Sequence, residues 1–337
     1  MISFTQKLHS YTEQGLIPEK YDRILQDFYR CYLCTLQRNK IDPSPYESIF
    51  TTYLDLVKEQ IAAPFAFEPY HHQIVQPFDY YQYGLDFMRP LVDVTRSSVG
   101  GHAALKNMEA ALQRKENIIL LANHQIEADP QAISLLIEKE FPQLAQEMIF
   151  VAGERVLTDP LAIPFSLGRN LLCIYSKKHI DHPPELKTHK QMHNKKTMEL
   201  MSSLLSEGGK CIYVAPSGGR DRQGPSGLVE VAPFDGQSIE MFYLMAKKSK
   251  TPTTFHPLSL ATYGLLPPPE TTQVELGELR KTERVGIHAH FGDPIDMDHF
   301  PGSTLSDKHA RRQERADYIC SLVKQAYSQF PTSGATS

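Results

Sequence analysis

Asn117-Ile118-Ile119-Leu120-Leu121-Ala122-Asn123-His124-Gln125-Ile126-Glu127-Ala128-Asp129-Pro130 is the stretch that decides the fold. Its apolar run, Ile118 to Ala122, is too short for a helix and shows no alternation. A short run of that kind is a strand candidate. It passes straight into a polar loop, and an apolar helical pattern follows at 130–141. The same unit recurs down the chain. Strands are expected at 117–122, 148–152, 171–176, 210–215, 255–262 and 284–291, and helical patterns at 102–114, 130–141, 187–207 and 237–248, with a last helix at 305–328. Strands alternating with helices imply an α/β domain with a mostly parallel mixed sheet. Its last strands are free to pair antiparallel.

Upstream the pattern is helical. Tyr21, Ile24, Leu25, Phe28, Tyr29, Tyr32, Leu33 and Leu36 recur at three and four residues and form one apolar stripe. Pro18 suits the first turn of that helix. A second helix is expected from Pro45 to Ile61, after the Asp42-Pro43-Ser44-Pro45 break. Prolines at 64 and 69 mark a linker. The expected organisation is a small helical bundle over 1–70 and a larger α/β catalytic domain over 71–337.

The chain has 337 residues, with 35 Lys and Arg against 39 Asp and Glu. An acidic balance excludes a general nucleic-acid binder, which needs a basic field. No apolar run approaches the roughly 20 residues of a membrane-spanning helix. The five cysteines, an odd number and mostly within apolar runs, are read as free thiols in a reducing compartment. The N-terminus has no apolar centre of a signal peptide, and Glu13 and Glu19 are unlike an acidic-poor transit peptide.

Three strand ends carry candidate chemistry, and ligands of open α/β sheets bind outside such ends. After 117–122 come His124 and, five residues on, Asp129. A carboxylate on Nδ1 would fix the imidazole tautomer and leave Nε2 as a base. The plainer reading is that Asp129-Pro130 is a helix cap and that His124 satisfies backbone groups. After 210–214 come Ala215-Pro216-Ser217-Gly218-Gly219-Arg220-Asp221-Arg222, where two arginines can fork onto phosphate oxygens. After the strand at 171–176 come Lys177-Lys178-His179. In a parallel sheet all three groups face one crevice, which describes a small phosphorylated molecule held beside a general base. Residues 177–196 hold six lysines against Asp181 and Glu185, a basic window that can steer an acidic partner or be a solvated helix face.

These blocks resemble the soluble, plastid and bacterial-type glycerol-3-phosphate acyltransferases. Asn123–Pro130 is similar to the His-x-x-x-x-Asp motif of glycerolipid acyltransferases. Val151–Pro160, Gly168–His179, Ala215–Arg222 and Phe255–Leu258 are similar to the family's further blocks, in order. The sequence departs from the plastid pattern at Glu154, where Asp is usual, and at Ile126, where Thr is usual. The resemblance implies acyl transfer from acyl carrier protein or a coenzyme A thioester to the sn-1 hydroxyl of glycerol 3-phosphate, giving 1-acylglycerol 3-phosphate for phospholipid biosynthesis. It implies His124 as base oriented by Asp129, and Lys178, His179, Arg220 and Arg222 on the phosphate. No cofactor or metal is implied, nor any nucleic-acid partner. The expected compartment is the cytoplasm, or the plastid stroma for a processed plant-type protein. Two other readings stay open: an acyltransferase for another phosphorylated acceptor such as 1-acylglycerol 3-phosphate, and a non-catalytic phospho-ligand sensor.

Overall fold

The computed structural model describes residues 3–175, 180–269 and 277–331. Its centre is the expected strand, β3 in chain order (Asn117–Ala122), whose six residues are all buried. It is preceded by β1 (Tyr70–His71) and β2 (Ser98–Gly100) and followed by β4 (Ile149–Gly153), β5 (Asn170–Ile174), β6 (Cys211–Val214), β7 (Arg222–Gln223), β8 (Val229–Glu230), β9 (Thr253–Ala261) and β10 (His288–Phe291). The large sheet runs β1-β5-β4-β6-β3-β9-β10-β2, and β7 and β8 form a separate hairpin. β5, β4, β6, β3 and β9 are mutually parallel. β1 joins β5 antiparallel, and β10 joins β9 antiparallel. The mostly parallel mixed α/β sheet is therefore as the sequence pattern implies.

One difference lies in the last strand. Of the expected 284–291, only 288–291 is a strand. Upstream of it, Val285 donates to Leu91 O and accepts from Asp93 N, so this backbone is spent on the 89–97 segment instead.

The N-terminal helices are α1 (Phe4–Glu13), α2 (Glu19–Arg38) and α3 (Glu47–Ala62). Phe28, Tyr32, Phe50 and Tyr53 are buried between them, with Phe50 ringed by Phe4, Phe28 and Tyr32 at centroid distances of 4.9–5.6 Å. This cluster extends without a break to Phe87 on α4 (Tyr80–Met88) and to Ile126, Ala128 and Ala132 beside the His124 loop. A second link is polar. Thr35 Oγ1 on α2 donates to Thr282 O at 2.8 Å, and Thr282 N donates to Cys31 Sγ at 3.3 Å. The 277–285 segment is thus strapped to the bundle.

Two more layers cover the sheet. On one face lie α5 (His102–Gln113), α6 (Asp129–Ile137) and α7 (Pro142–Glu147), whose Leu105, Ile133 and Leu144 share one core with Leu120 and Phe150. The expected helix over 130–141 stops at Ile137 and restarts at Pro142, because proline suits a first turn and not an interior. Short α8 (Glu154–Thr158) and α9 (Ile163–Ser166) follow β4. On the other face α10 (Lys187–Glu207), α11 (Gly236–Ser249) and α12 (Lys308–Tyr327) pack Leu205, Phe242 and Ile319 against Ile119, Leu121 and Ile212. Each buried Leu or Ile of this kind contributes about 1.5–3 kcal/mol. Gly168, before β5, is required by close approach: a Cβ there would lie 2.5 Å from the Tyr80 carbonyl. Among the described residues no helix is long and apolar enough to cross a membrane.

Candidate active site

β3 and β6 are parallel neighbours, so the loops leaving their C-terminal ends meet. The first carries His124. Its Nδ1 lies 2.8 Å from Asp129 Oδ2. Asp129 is not the cap of α6: Ala128 holds that position and Asp129 is the first helical residue. Its carboxylate turns back instead. Oδ2 also accepts from Gln125 N at 2.8 Å and Ile126 N at 3.3 Å, and Oδ1 accepts from Thr262 Oγ1 at 2.6 Å. Two backbone N–H groups and the Thr262 hydroxyl are thus aimed at this carboxylate. The Asp129 side chain is 1% exposed and that of His124 is 30% exposed. An ionised carboxylate makes Nδ1 the donor, so Nε2 is left as an acceptor. Nε2 has no partner among the described residues.

The second loop carries Arg220 and Arg222, and Asp221 between them ties it to the first. Asp221 N donates to His124 O at 2.6 Å. Its side chain accepts from Asn123 Nδ2 at 2.7 Å, Gln125 Nε2 at 3.2 Å and Ala232 N at 2.9 Å. Burial pushes the Asp221 carboxyl up, and these bonds oppose the shift. Gln125 uses its whole amide: Oε1 accepts from Thr262 N and Tyr263 N, and Nε2 also reaches Tyr327 Oη on α12. Tyr213 Oη donates to Asn123 O at 3.0 Å. Gly218 has φ +63°, a left-handed turn that glycine takes without a Cβ penalty, and it sends the chain back toward His124.

The two arginines differ in state. Arg220 forks onto Glu278 with bonds of 2.9 and 2.6 Å. Burial pulls its guanidinium down, but Glu278 outweighs burial and the net shift is upward. Arg222 donates only to the Pro269 carbonyl, at 2.8 Å, and has no carboxylate partner among the described residues. Burial, with neighbouring Arg220, pulls it down. A cation flanked by another cation is the group an anionic ligand relieves.

Of the sequence-predicted site residues, His124 and Asp129 are in direct contact, and Arg220 and Arg222 flank Asp221, whose N–H donates to His124 O. Lys178 and His179 lie outside the described residues, just beyond Tyr175 at the end of β5. Sequence reasoning missed Asn123, Gln125, Thr262 and Glu278, whose side-chain partners are at least 58 residues away, so no local pattern signals them. The basic window is largely compensated. Lys190 is 3% exposed and pairs with Glu154 at 2.9 Å, Lys187 pairs with Asp181, and Lys195 and Lys196 lie 3.9 Å from Glu199 and Glu68. A cleft of about 490 Å³ opens at the other end of the sheet, against Ile149, Asn170 and Cys211, and shares no residue with this constellation.

Comparison with known proteins gives a consistent result. A family model described as Acyltransferase matches residues 104–261. The chain is 38% identical over 314 residues to a chloroplastic glycerol-3-phosphate acyltransferase of Cucurbita moschata, covering 91% of this chain and 70% of that one. It is 43% identical over 268 residues to a chloroplastic glycerol-3-phosphate acyltransferase of Arabidopsis thaliana, covering 79% and 58%. It is 33% identical over 324 residues to a protein of the same name from Carthamus tinctorius, covering 94% and 70%. The chain thus spans between 58% and 70% of the length of these curated relatives.

Proposed function

We infer the activity from the premise that the chain belongs to the glycerol-3-phosphate acyltransferase family: it transfers a fatty acyl group from a thioester donor to the sn-1 hydroxyl of glycerol 3-phosphate. The observation that carries this reading is the bond from Asp221 N to His124 O, at 2.6 Å, which couples the arginine loop to the base loop. His124 Nε2 takes the proton of the acceptor hydroxyl as the alkoxide oxygen attacks the thioester carbonyl. A C–O bond forms, and the tetrahedral intermediate expels the thiolate as the C–S bond breaks. The imidazolium returns its proton to that sulfur. Asp129 holds the ring and stabilises the transient positive charge. The acceptor alcohol takes the place of a serine nucleophile, so no acyl-enzyme is needed. Arg220 and Arg222, with Lys178 and His179 by family resemblance, hold the phosphate and thereby the hydroxyl. Positioning of this kind is worth up to about 7–11 kcal/mol in favourable systems. No cofactor enters this scheme.

The donor is acyl carrier protein or coenzyme A thioester. The product is 1-acylglycerol 3-phosphate, for phospholipid synthesis in the cytoplasm or, as the chloroplastic names of the relatives favour, in the plastid stroma. The test is acyl transfer to radiolabelled glycerol 3-phosphate with each thioester donor, in competition with unlabelled 1-acylglycerol 3-phosphate. Labelled monoacyl product is expected, and it is expected to vanish in H124A. Acylation of the competitor alone would overturn this choice of acceptor.

A further inference from the structure

The cleft at the far end of the sheet has a chemistry of its own. β4, β5 and β6 run parallel, and it is lined by their first residues, Ile149, Asn170 and Cys211. His124 and the arginine loop lie where the strands end, so the cleft is on the opposite side of the molecule from the acyl-transfer site. Its volume of about 490 Å³ suits a small organic molecule. The last turn of α5 brings Glu109, Leu112 and Gln113 to one wall. A helix ends there on its carbonyls, the negative end of its dipole. Glu147, at the end of α7, stands in the lining and accepts from Gln143 Nε2 at 3.1 Å. Neither Glu109 nor Glu147 has a cationic partner among the described residues. Lys210, also in the lining, is 3.2 Å from Glu207. Lys115 is the second lysine there. Three carboxylates (109, 147 and 207) thus stand against two ammonium groups, and one negative charge is left over.

A further acceptor lacks a donor. Gln73 lines the cleft, and its N–H donates to Asn170 Oδ1 at 3.1 Å, but its Oε1 is buried with no partner among the described residues. A buried acceptor left unpaired is costly. The terminal torsion of a glutamine is soft, so a turn of the amide offers that oxygen to an N–H donor in the cleft. Apolar surface accompanies these acceptors. Leu112, Leu144 and Met148 line the cleft, and Tyr70 adds a ring that packs edge-on against His72 with centroids 4.5 Å apart. Aromatic rings attract ammonium groups, and aliphatic walls take methylenes. A bare divalent cation fits less well, because it needs several oxygens converging on one point. Among the described residues no three His, Cys, Asp or Glu side chains converge in that way.

We propose that this cleft is a second binding site, for a linear polyamine: an alkyl chain carrying ammonium groups. The test is calorimetric titration of spermidine into the full chain at about pH 8, above the ordinary histidine range. The wild-type protein is expected to give a saturable one-to-one isotherm. E109Q/E147Q is expected to weaken binding about tenfold, since two charge pairs at a solvated rim are lost. K115Q is expected to tighten it severalfold, because a like charge is removed. No saturation at millimolar spermidine overturns the proposal, and so does unchanged affinity in E109Q/E147Q. An equal heat from magnesium chloride at matched ionic strength also overturns it, since binding would then be charge screening without a role for the alkyl chain. Should the double variant not fold, Q113K, at an exposed position of the same wall, must weaken binding, and unchanged affinity there overturns the site. R222Q alters only the far side of the sheet and is expected to bind spermidine as the wild type does, so the result stands whether or not glycerol 3-phosphate is acylated. Loss of spermidine binding in R222Q would place the ligand at the other end and overturn the assignment.

Discussion

Asp129→Asn isolates the charge of the residue behind His124. The two backbone donors, Gln125 N and Ile126 N, converge on Oδ2 together with His124 Nδ1. An asparagine there must place its oxygen in the Oδ2 position, since its NH₂ would face three donors. The NH₂ group then falls on Thr262, whose hydroxyl can rotate and accept. The imidazole tautomer is kept, and the loss is electrostatic. At the observed 2.8 Å, two unit charges at an effective dielectric constant of 20 interact with ~6 kcal/mol. His124 is 30% exposed, so water screens the pair. Doubling the constant to about 40 leaves ~3 kcal/mol in the imidazolium-bearing transition state, about 150-fold in kcat. The assay is steady-state acyl transfer at saturating glycerol 3-phosphate, with the melting temperature followed in parallel. A folded D129N with kcat within threefold of wild type would refute the reasoning, and Asp129 would then serve only to shape the loop.

Thr262→Val removes a donor to Asp129 Oδ1 at constant size and should cost about 1–3 kcal/mol of stability, with kcat reduced severalfold; T262S should restore both, and denaturant unfolding with kinetics checks it. Arg222→Gln should raise KM for glycerol 3-phosphate about tenfold with little loss of stability, because among the described residues the one bond it gives up is to the Pro269 carbonyl. Arg220→Gln should instead destabilise the fold by about 3 kcal/mol, since Glu278 loses its bidentate partner, and equal melting temperatures for the two variants would contradict this. Stability should fall on acidification. His71, His256 and His288 are buried, and burial lowers each below the ordinary 6.5, so the unfolded chain binds protons first. That stability is fully present above 6.5 and is lost as pH falls from there through the folded values; H256Q should flatten the dependence of melting temperature on pH between 7 and 5.

What was legible in the sequence follows from how local each signal is. β3 matches its expected span, residue for residue, because a fully buried strand is written as an unbroken apolar run. α10 at 187–207 matches for a similar reason, as Met201, Leu204 and Leu205 mark one face. α4 was not expected: its Tyr81, Tyr83, Leu85 and Phe87 alternate like a strand, and only the cap from Asp79 to Gln82 N betrays a helix. His124 and Asp129 were legible as a pair because five residues separate them on one loop. The carboxylates that set the state of the arginines were not. Glu278 meets Arg155 and Arg220 across 123 and 58 residues, and only tertiary packing brings them together.

Thr282, four residues past Glu278, is bonded to Thr35 and Cys31 on the second helix of the bundle. The amino-terminal helices therefore brace the wall on which Arg220 rests, although none of them supplies a reacting atom. Removing or loosening them would blunt recognition of the phosphate before it touched the proton-transfer pair, so acceptor selectivity and the intactness of that distant scaffold rise and fall together.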